Sequence, residues 1–536
     1  MKKIVVIVLT SFLLLSMVAC SNPSTPATEG SSSASASESA SASVSGTDLD
    51  TPIVTEGLAY SLPQYPTKQE SDAIIAARKI AAESKEPITL GILISPDNVA
   101  DFEPFYEEWE RETGIQLKTY TVAWGDWYRE LTGLTVSQNN TYDVFMMCPQ
   151  WVPDLATSNV LFSMNDFVSK YNPEIFDPSS DNSLLSGIDA FAQYDNNYYF
   201  MMSDTDVATL YLRKDWLEDE ANKTAFKAKY GYDLAIPETL DQYEDQLEFF
   251  TNPDKGTYGA VMSWSSEETC FQFFPRMASQ QVPFFNDDMS NNINSAAAVT
   301  ALEEMKAELP YMMPGTLEFD AARAQEAFAQ GNVYSTSIMT WAQGMFENPE
   351  ISQVVGKVTY APFPGRVNAS GELVSPQCQF WGWGYSVSQY SNNPELAYLY
   401  CQWMSGAAMN ARVSLTPGGW YDVAKKSDYD STQFPELLKE NGGNYMKDWM
   451  AVQTWQLDHM MPPVNAMRGG SEYGGVLVDA ITAVLSGSTD AQTALDGVSQ
   501  QWDDITDRYG RDEQIKAWKD AQQMYAPTVR QWLGFE

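Results

Sequence analysis

Apolar positions recur along this chain at two spacings, one that suits strands and one that suits helices. ITLGILI, from Ile88 to Ile94, is a short and almost unbroken apolar run, the pattern of a buried strand. Pro96 and Asn98 then open a stretch in which Phe102, Phe105, Tyr106 and Trp109 fall at i, i+3, i+4 and i+7, and Gly114 is placed to end that helix. Ile115 to Val122 alternates as a second strand. Asp126 is placed to cap a helix carrying Trp127, Leu131 and Leu134, and DVFMM (Asp143 to Met147) is a third strand. Strand, helix, strand, helix, strand predicts an α/β layer with a mainly parallel sheet.

Upstream of Ile88 the pattern changes character. Lys2 and Lys3 precede an apolar run from Ile4 to Val18, interrupted only by Thr10, Ser11 and Ser16, which is short for a membrane span and suits a secretory signal. It ends in Met17-Val18-Ala19-Cys20, which resembles the bacterial lipobox, in which the cysteine becomes the lipidated first residue; an ordinary cleaved signal with a chance cysteine is the alternative. Residues 21–51 read as a disordered tether, because Ser31 to Ser45 is Ser and Ala apart from Glu38 and Val44 and has no apolar face to bury. Residues 52–87 form a leader: Pro52, Pro63 and Pro66 make its start irregular, and SDAIIAARKIAAES from Ser71 to Ser84 predicts a short amphipathic helix. Nothing after the signal approaches 18 uninterrupted apolar residues, so the expectation is an extracytoplasmic body held to the cell membrane by its lipid end alone.

Charge narrows the partners. Over 536 residues, 71 acidic side chains face 32 basic ones, a net charge of −39, so phosphate backbones and anionic lipid surfaces are repelled and nucleic acid is excluded as a partner. Aromatics at 13%, with 16 Trp and 28 Tyr, give an unusually large supply of rings for a packed protein. The four cysteines after the signal, Cys148, Cys270, Cys378 and Cys401, are widely spaced with no Cys-x-x-Cys, so no metal site or redox dithiol is indicated; three disulfide pairings, or buried free thiols, remain open. His459 is the one histidine, and there is no Gly-x-Ser-x-Gly, His-Glu-x-x-His or Walker A motif. No cofactor and no enzyme class follow from the motifs. A glycoside hydrolase would need two carboxylates at a fixed separation, which 71 acids always offer by chance.

GILISPDNVADFEPFYEEWERETGIQLKTYTVAWGDWYRELT and YDVFMMCPQWVPDLATSNVLFSM resemble the start of the bacterial extracellular solute-binding proteins of family 1, the carbohydrate receptors of ABC importers. Further blocks fall in that family's order, among them NNYYFMMSDTDVATLYLRKDWL, AFAQGNVYSTSIMTW, VTYAPFPGR and FWGWGYSVSQYSNNPELAYLYCQWMS. The resemblance spans Ile88 to Met524. It implies the periplasmic-binding-protein type II fold, two α/β lobes with a hinge and a ligand cleft between them: residues 88–204 plus 380–417 in lobe one, and 207–378 plus 420–536 in lobe two. It also implies a monomeric receptor that closes on a sugar and presents it to permease subunits. A surface adhesin for polysaccharide is the competing binder.

A pyranose offers apolar C–H faces and a rim of hydroxyls, so its site needs aromatic platforms beside planar polar groups. Trp109, Trp502 and Trp518 sit at helical spacing with other apolar residues and read as core. By resemblance, Gln150 and Trp151 follow the third strand at a polar sugar contact where relatives often carry an acid. Asp206 matches an acidic sugar-binding residue at the chain crossing, with Asp204 as its neighbour. Trp341 ends the SIMTW strand, where the family presents a stacking ring. Trp381 and Trp383 are two apart and face one side of a strand. Trp264, Glu267, Trp420, Arg468 and Tyr473 fall in loops near matching regions. The anchor gives the first prediction: Cys20→Ala leaves the protein unlipidated, so it appears in the medium or stays uncleaved, as read by fractionation and mass of the N-terminal peptide. Equal solubility of wild type and variant contradicts the lipidated reading.

Overall fold

The apolar runs marked in the sequence become buried strands. The computed structural model describes residues 48–96, 99–185, 188–265, 267–339, 342–379, 382–415, 422, 424–429, 444–464 and 466–535. The signal region with Cys20, tether residues 21–47, and Trp341, Trp381 and Trp420 lie outside the described residues. Two principal sheets are built from Thr89–Ile94 (β1), Gln116–Thr121 (β2), Val144–Met147 (β3), Met201–Asp204 (β4), Ala208–Arg213 (β5), Tyr258–Ala260 (β6), Val333–Met339 (β7), Val358–Ala361 (β8) and Trp383–Val387 (β9).

The first sheet is five-stranded, in the order β2-β1-β3-β9-β4. β1 lies parallel to both β2 and β3, joined to them through the helices Val99–Thr113 and Trp127–Ser137, the connection that parallel neighbours require. β9 runs against β3 and β4 while the other four strands share one direction, so the sheet is mainly parallel with one reversed strand. The reason is direction of travel: β4 carries the chain out of this sheet, and β9 brings it back. The second sheet is four-stranded, in the order β8-β5-β7-β6, with β5 antiparallel to β8 and β7 and with β6 parallel to β7.

Only Thr205, Asp206 and Val207 separate β4 from β5, and the returning segment lies against them. Val207 forms an antiparallel bridge with Gln379, and the Gly382 N–H donates to Oδ2 of Asp206 at 3.3 Å. Gly382 has φ +82°, and a Cβ there would meet the Asp204 carbonyl oxygen at 2.8 Å, so glycine is what lets the two segments touch. Just upstream, Gln377–Cys378 pairs in parallel with Met460–Met461.

The leader is part of the folded body. Its helix begins at Lys68, three residues before the sequence pattern suggested, because Thr67 and Glu70 form a capping box. Oε1 of Glu70 meanwhile accepts from the N–H groups of Ala408 and Met409, at 3.0 and 3.2 Å, so one buried carboxylate serves two helix starts. Arg412, in the helix Ala407–Ser414, pairs with Glu108 at 2.7 Å, both fully buried, and Tyr65 of the leader donates to the same carboxylate beneath the Arg412 guanidinium. Asp126 does not cap as its position suggested: it closes a 3-10 turn with helical φ and ψ, and its carboxylate pairs with Arg129 at 2.5 Å. Trp109, Trp502 and Trp518 are core residues, and Cys148, Cys270, Cys378 and Cys401 are free and buried.

This packing predicts the effect of removing Arg412. Arg412→Met leaves Glu108 buried without its cation, and the expected loss is about 3–5 kcal/mol of unfolding free energy in urea. Adding Glu108→Gln to that variant recovers much of the loss. A single variant as stable as wild type contradicts the pair's structural role.

Candidate ligand-binding site

The short crossing fixes where the acidic candidates stand. Asp204 closes β4 beside the register shift at Trp383/Gly384, and Asp206 follows two residues later; both are buried. A third carboxylate, Asp422, joins them from a distant part of the chain, its N–H donating to Oδ1 of Asp204 at 2.6 Å. The oxygens of Asp204, Asp206 and Asp422 lie within 4.8 Å of one another, a spacing that a cation would fit, and the charge of Lys425 acts favourably on Asp204. The Lys425 ammonium is buried and donates to the Met202 carbonyl at 3.3 Å and to Oδ1 of Asn410.

Burial governs the electrostatics. Desolvation, followed by the Asp206 charge, pushes Asp204 well above the usual carboxylate range, opposed by the Asp422 N–H and Lys425. Desolvation raises Asp206 to about 7, and the Gly382 N–H opposes it. Asp422 is pushed up by burial and then by Asp204 and Asp206, and its carboxyl hydrogen-bonds that of Asp206, an arrangement that two anions cannot make. Lys425 falls to about 8 through burial, held up by Asp428, Glu70 and Asp204. Chemically the cluster is a set of acceptors that shares protons, suited to a ligand rich in hydroxyl donors.

Of the other candidates, Trp383 pairs with Asp204 across the sheet. Gln150 is buried in the turn Pro149–Trp151 directly after β3, and Trp151 packs on Tyr128 with ring centroids 5.6 Å apart. Trp383 is buried against Trp127 at 5.6 Å. Glu267 precedes the helix Glu268–Ala278, its carboxyl raised to about 7 by burial, and its charge is felt, with those of Asp206 and Asp204, at the buried Cys148 thiol. A water-sized cavity of about 10 Å³ lies between Glu267 and the helix Gly470–Leu485. Trp264 is buried after β6. A larger hollow, about 300 Å³, is an open recess over Phe319, Arg323 and Glu326, and the Phe319 carbonyl accepts from the Ser265 N–H at 3.1 Å.

One candidate, Tyr473, sits differently from the loop that sequence suggested, whereas Arg468 lies in a turn as expected. Tyr473 lies inside the helix Gly470–Leu485, fully buried against Phe285 and Trp502, its hydroxyl 2.8 Å from that of Thr506. Arg468 precedes that helix with its guanidinium over the Tyr509 ring at 5.5 Å. Asp422 and Lys425 escaped sequence reading because an acid and a lysine in a polar stretch look like any solvated loop.

Two sheets are thus joined by a short crossing at which buried carboxyls gather. Residues 96–411 match the family described as bacterial extracellular solute-binding protein, and the chain belongs to that family. A probable amino-acid ABC transporter periplasmic-binding protein, y4oP of Sinorhizobium fredii, is 22% identical over 338 residues, covering 61% of this chain and 69% of its own. Among solved structures, the fold is similar to a solute-binding protein of Agrobacterium radiobacter in complex with ribitol, with TM-score 0.61, 20% identity, and 79% of this chain and 99% of that one covered. Maltose-bound MalE3 of T. maritima gives 0.63 at 16% identity, covering 78% and 100%. Lmo0181 of Listeria monocytogenes, in complex with cycloalternan, gives 0.61 at 18% identity, covering 80% of this chain and 100% of its own. The fold is therefore the periplasmic-binding-protein type II fold.

The raised carboxyls predict a pH dependence. A carboxyl whose pKa rises on folding holds its proton more tightly in the folded chain, so its ionisation penalty is full above about pH 7 and vanishes toward the usual carboxylate range. Stability from these groups thus increases as pH falls from 7.5 to 5, a window in which Lys425 stays charged. Asp206→Asn removes one such group, and the slope of unfolding free energy against pH flattens by up to about 1.4 kcal/mol per pH unit. Identical slopes in urea titrations of the two proteins contradict the burial of an ionisable Asp206.

Proposed function

We propose that this chain is the capture subunit of an ABC importer for a neutral sugar or polyol, lipidated at Cys20, which closes two lobes on its ligand and delivers it to the permease. In this reading residues 88–204 plus 380–417 form one lobe and 207–378 plus 420–536 the other, and the protein binds without turning its ligand over. The observation that carries the ligand class is the buried group of Asp204, Asp206 and Asp422, which offers acceptors in surplus over donors. Hydroxyls both donate to and accept from these carboxyls without adding charge, whereas a carboxylate ligand brings a further desolvated anion into the cluster. The ligands of the similar solved structures, ribitol, maltose and cycloalternan, belong to those proteins and support the class by analogy.

Gln150, Trp151, Trp264, Glu267, Trp383 and the rings at Trp341, Trp381 and Trp420 are then the partners that frame the ligand. The test is a thermal-shift panel of maltose, ribitol, mannitol, galacturonate and the common amino acids against wild type and Asp206→Asn. A ligand at 100 times its Kd adds about 2.7 kcal/mol of stability. The expected outcome is a shift with a neutral sugar or polyol, none with galacturonate, and loss of most of the shift in the variant. A shift with amino acids alone rejects the sugar class.

A further inference from the structure

The helix Gly470–Leu485 starts without a cap of its own. Its N-cap residue is Gly469, which has φ +75° and no side chain to offer, and a Cβ there would meet the Tyr509 ring at 2.8 Å. A serine or aspartate cannot replace it without strain, so the usual local solution to a helix N-terminus is closed off. The missing acceptor comes from the layer of the first sheet. Asp154, in the helix Val152–Thr157 that follows β3, accepts from the Gly469 N–H through Oδ1 at 2.6 Å. Its Oδ2 accepts from the Tyr128 hydroxyl at 2.9 Å, and Tyr128 is hydrogen-bonded in turn to Ser471 of the same capped helix. At the surface, Lys516 of the helix Arg511–Gln522 pairs with Asp195.

We propose that Asp154 is a latch, a positioning residue whose carboxylate caps the helix Gly470–Leu485 from the helix Val152–Thr157 and holds the two elements in the arrangement described here. The helix N-terminus carries a partial positive charge, so a carboxylate from the neighbouring helix stabilises it only while the two elements remain in contact. Arg468 adds a favourable charge to Asp154, and Glu472 an unfavourable one. The latch therefore favours the arrangement described here before any ligand binds, and on the receptor reading a ligand that needs this arrangement gains apparent affinity in proportion to its population. Its functional consequence rests on the receptor reading above; the contact itself does not, so a failed ligand screen leaves it standing.

Hydrogen exchange of the full chain without ligand tests it. In wild type, amides in 466–473 and 149–157 are protected. Asp154→Ala speeds exchange in both segments and in 127–137 by roughly fivefold or more, the loss of a typical cap, while β1, β3 and the distant helix Glu220–Tyr230 are unchanged. Asp154→Asn, which keeps an acceptor oxygen, restores part of the protection, and Tyr128→Phe loses part of it. Three results overturn the proposal: fast exchange at 466–473 in wild type, no change in Asp154→Ala, or an equal rise throughout β1 and β3, which marks a general loss of folding.

Discussion

Three residues carry the chain from the first sheet to the second, and the rest of the site depends on how little slack that leaves. Thr205 to Val207 lies against the returning segment through the Val207–Gln379 bridge and the Gly382 N–H. Asp204 and Asp206 therefore cannot swing out to water. Two carboxylates this close disfavour each other's ionisation, and burial adds to the penalty. The fold offsets this with backbone N–H groups, a shared proton with Asp422 and the buried Lys425 ammonium.

The N-terminal leader supports that arrangement from behind. Glu70 caps the helix Ala407–Ser414, and Asn410 on that helix accepts from Lys425 and donates to the Asp422 carbonyl at 3.3 Å. A contiguous set of hydrogen bonds thus runs from the leader to the carboxylate cluster. The Glu108–Arg412 pair, joined by Tyr65, locks the same helix to the helix Val99–Thr113. A segment that reads in sequence as a proline-broken approach is in fact one wall of the scaffold.

The two acidic features of the molecule act in different places. The net charge of −39 is spread over a solvated surface and governs which partners approach. The buried acids hold their protons and govern what can be accepted inside. On the proposed reading, a hydroxyl-rich ligand meets acceptors already desolvated and fixed in place, so little reorganisation accompanies binding.

The periodicities of the sequence determined the elements that need only neighbours along the chain: the three opening strands, the helix faced by Phe102, Phe105 and Trp109, and its end at Gly114. Block order along the chain pointed to the family, and the Asp204-Thr205-Asp206 crossing was legible for the same reason. Local pattern carries no record of direction between sheets, so it could not reveal that β9 runs against its neighbours. Nor could it mark Tyr473 as a buried helix residue, or pair Asp154 with Gly469 across 315 positions. Asp422 and Asp204 are 218 residues apart and meet only because two chain segments pack together. Residue type and spacing set what each segment can form, whereas burial and the identity of a partner are properties of the packed chain, and those the tertiary structure alone decided.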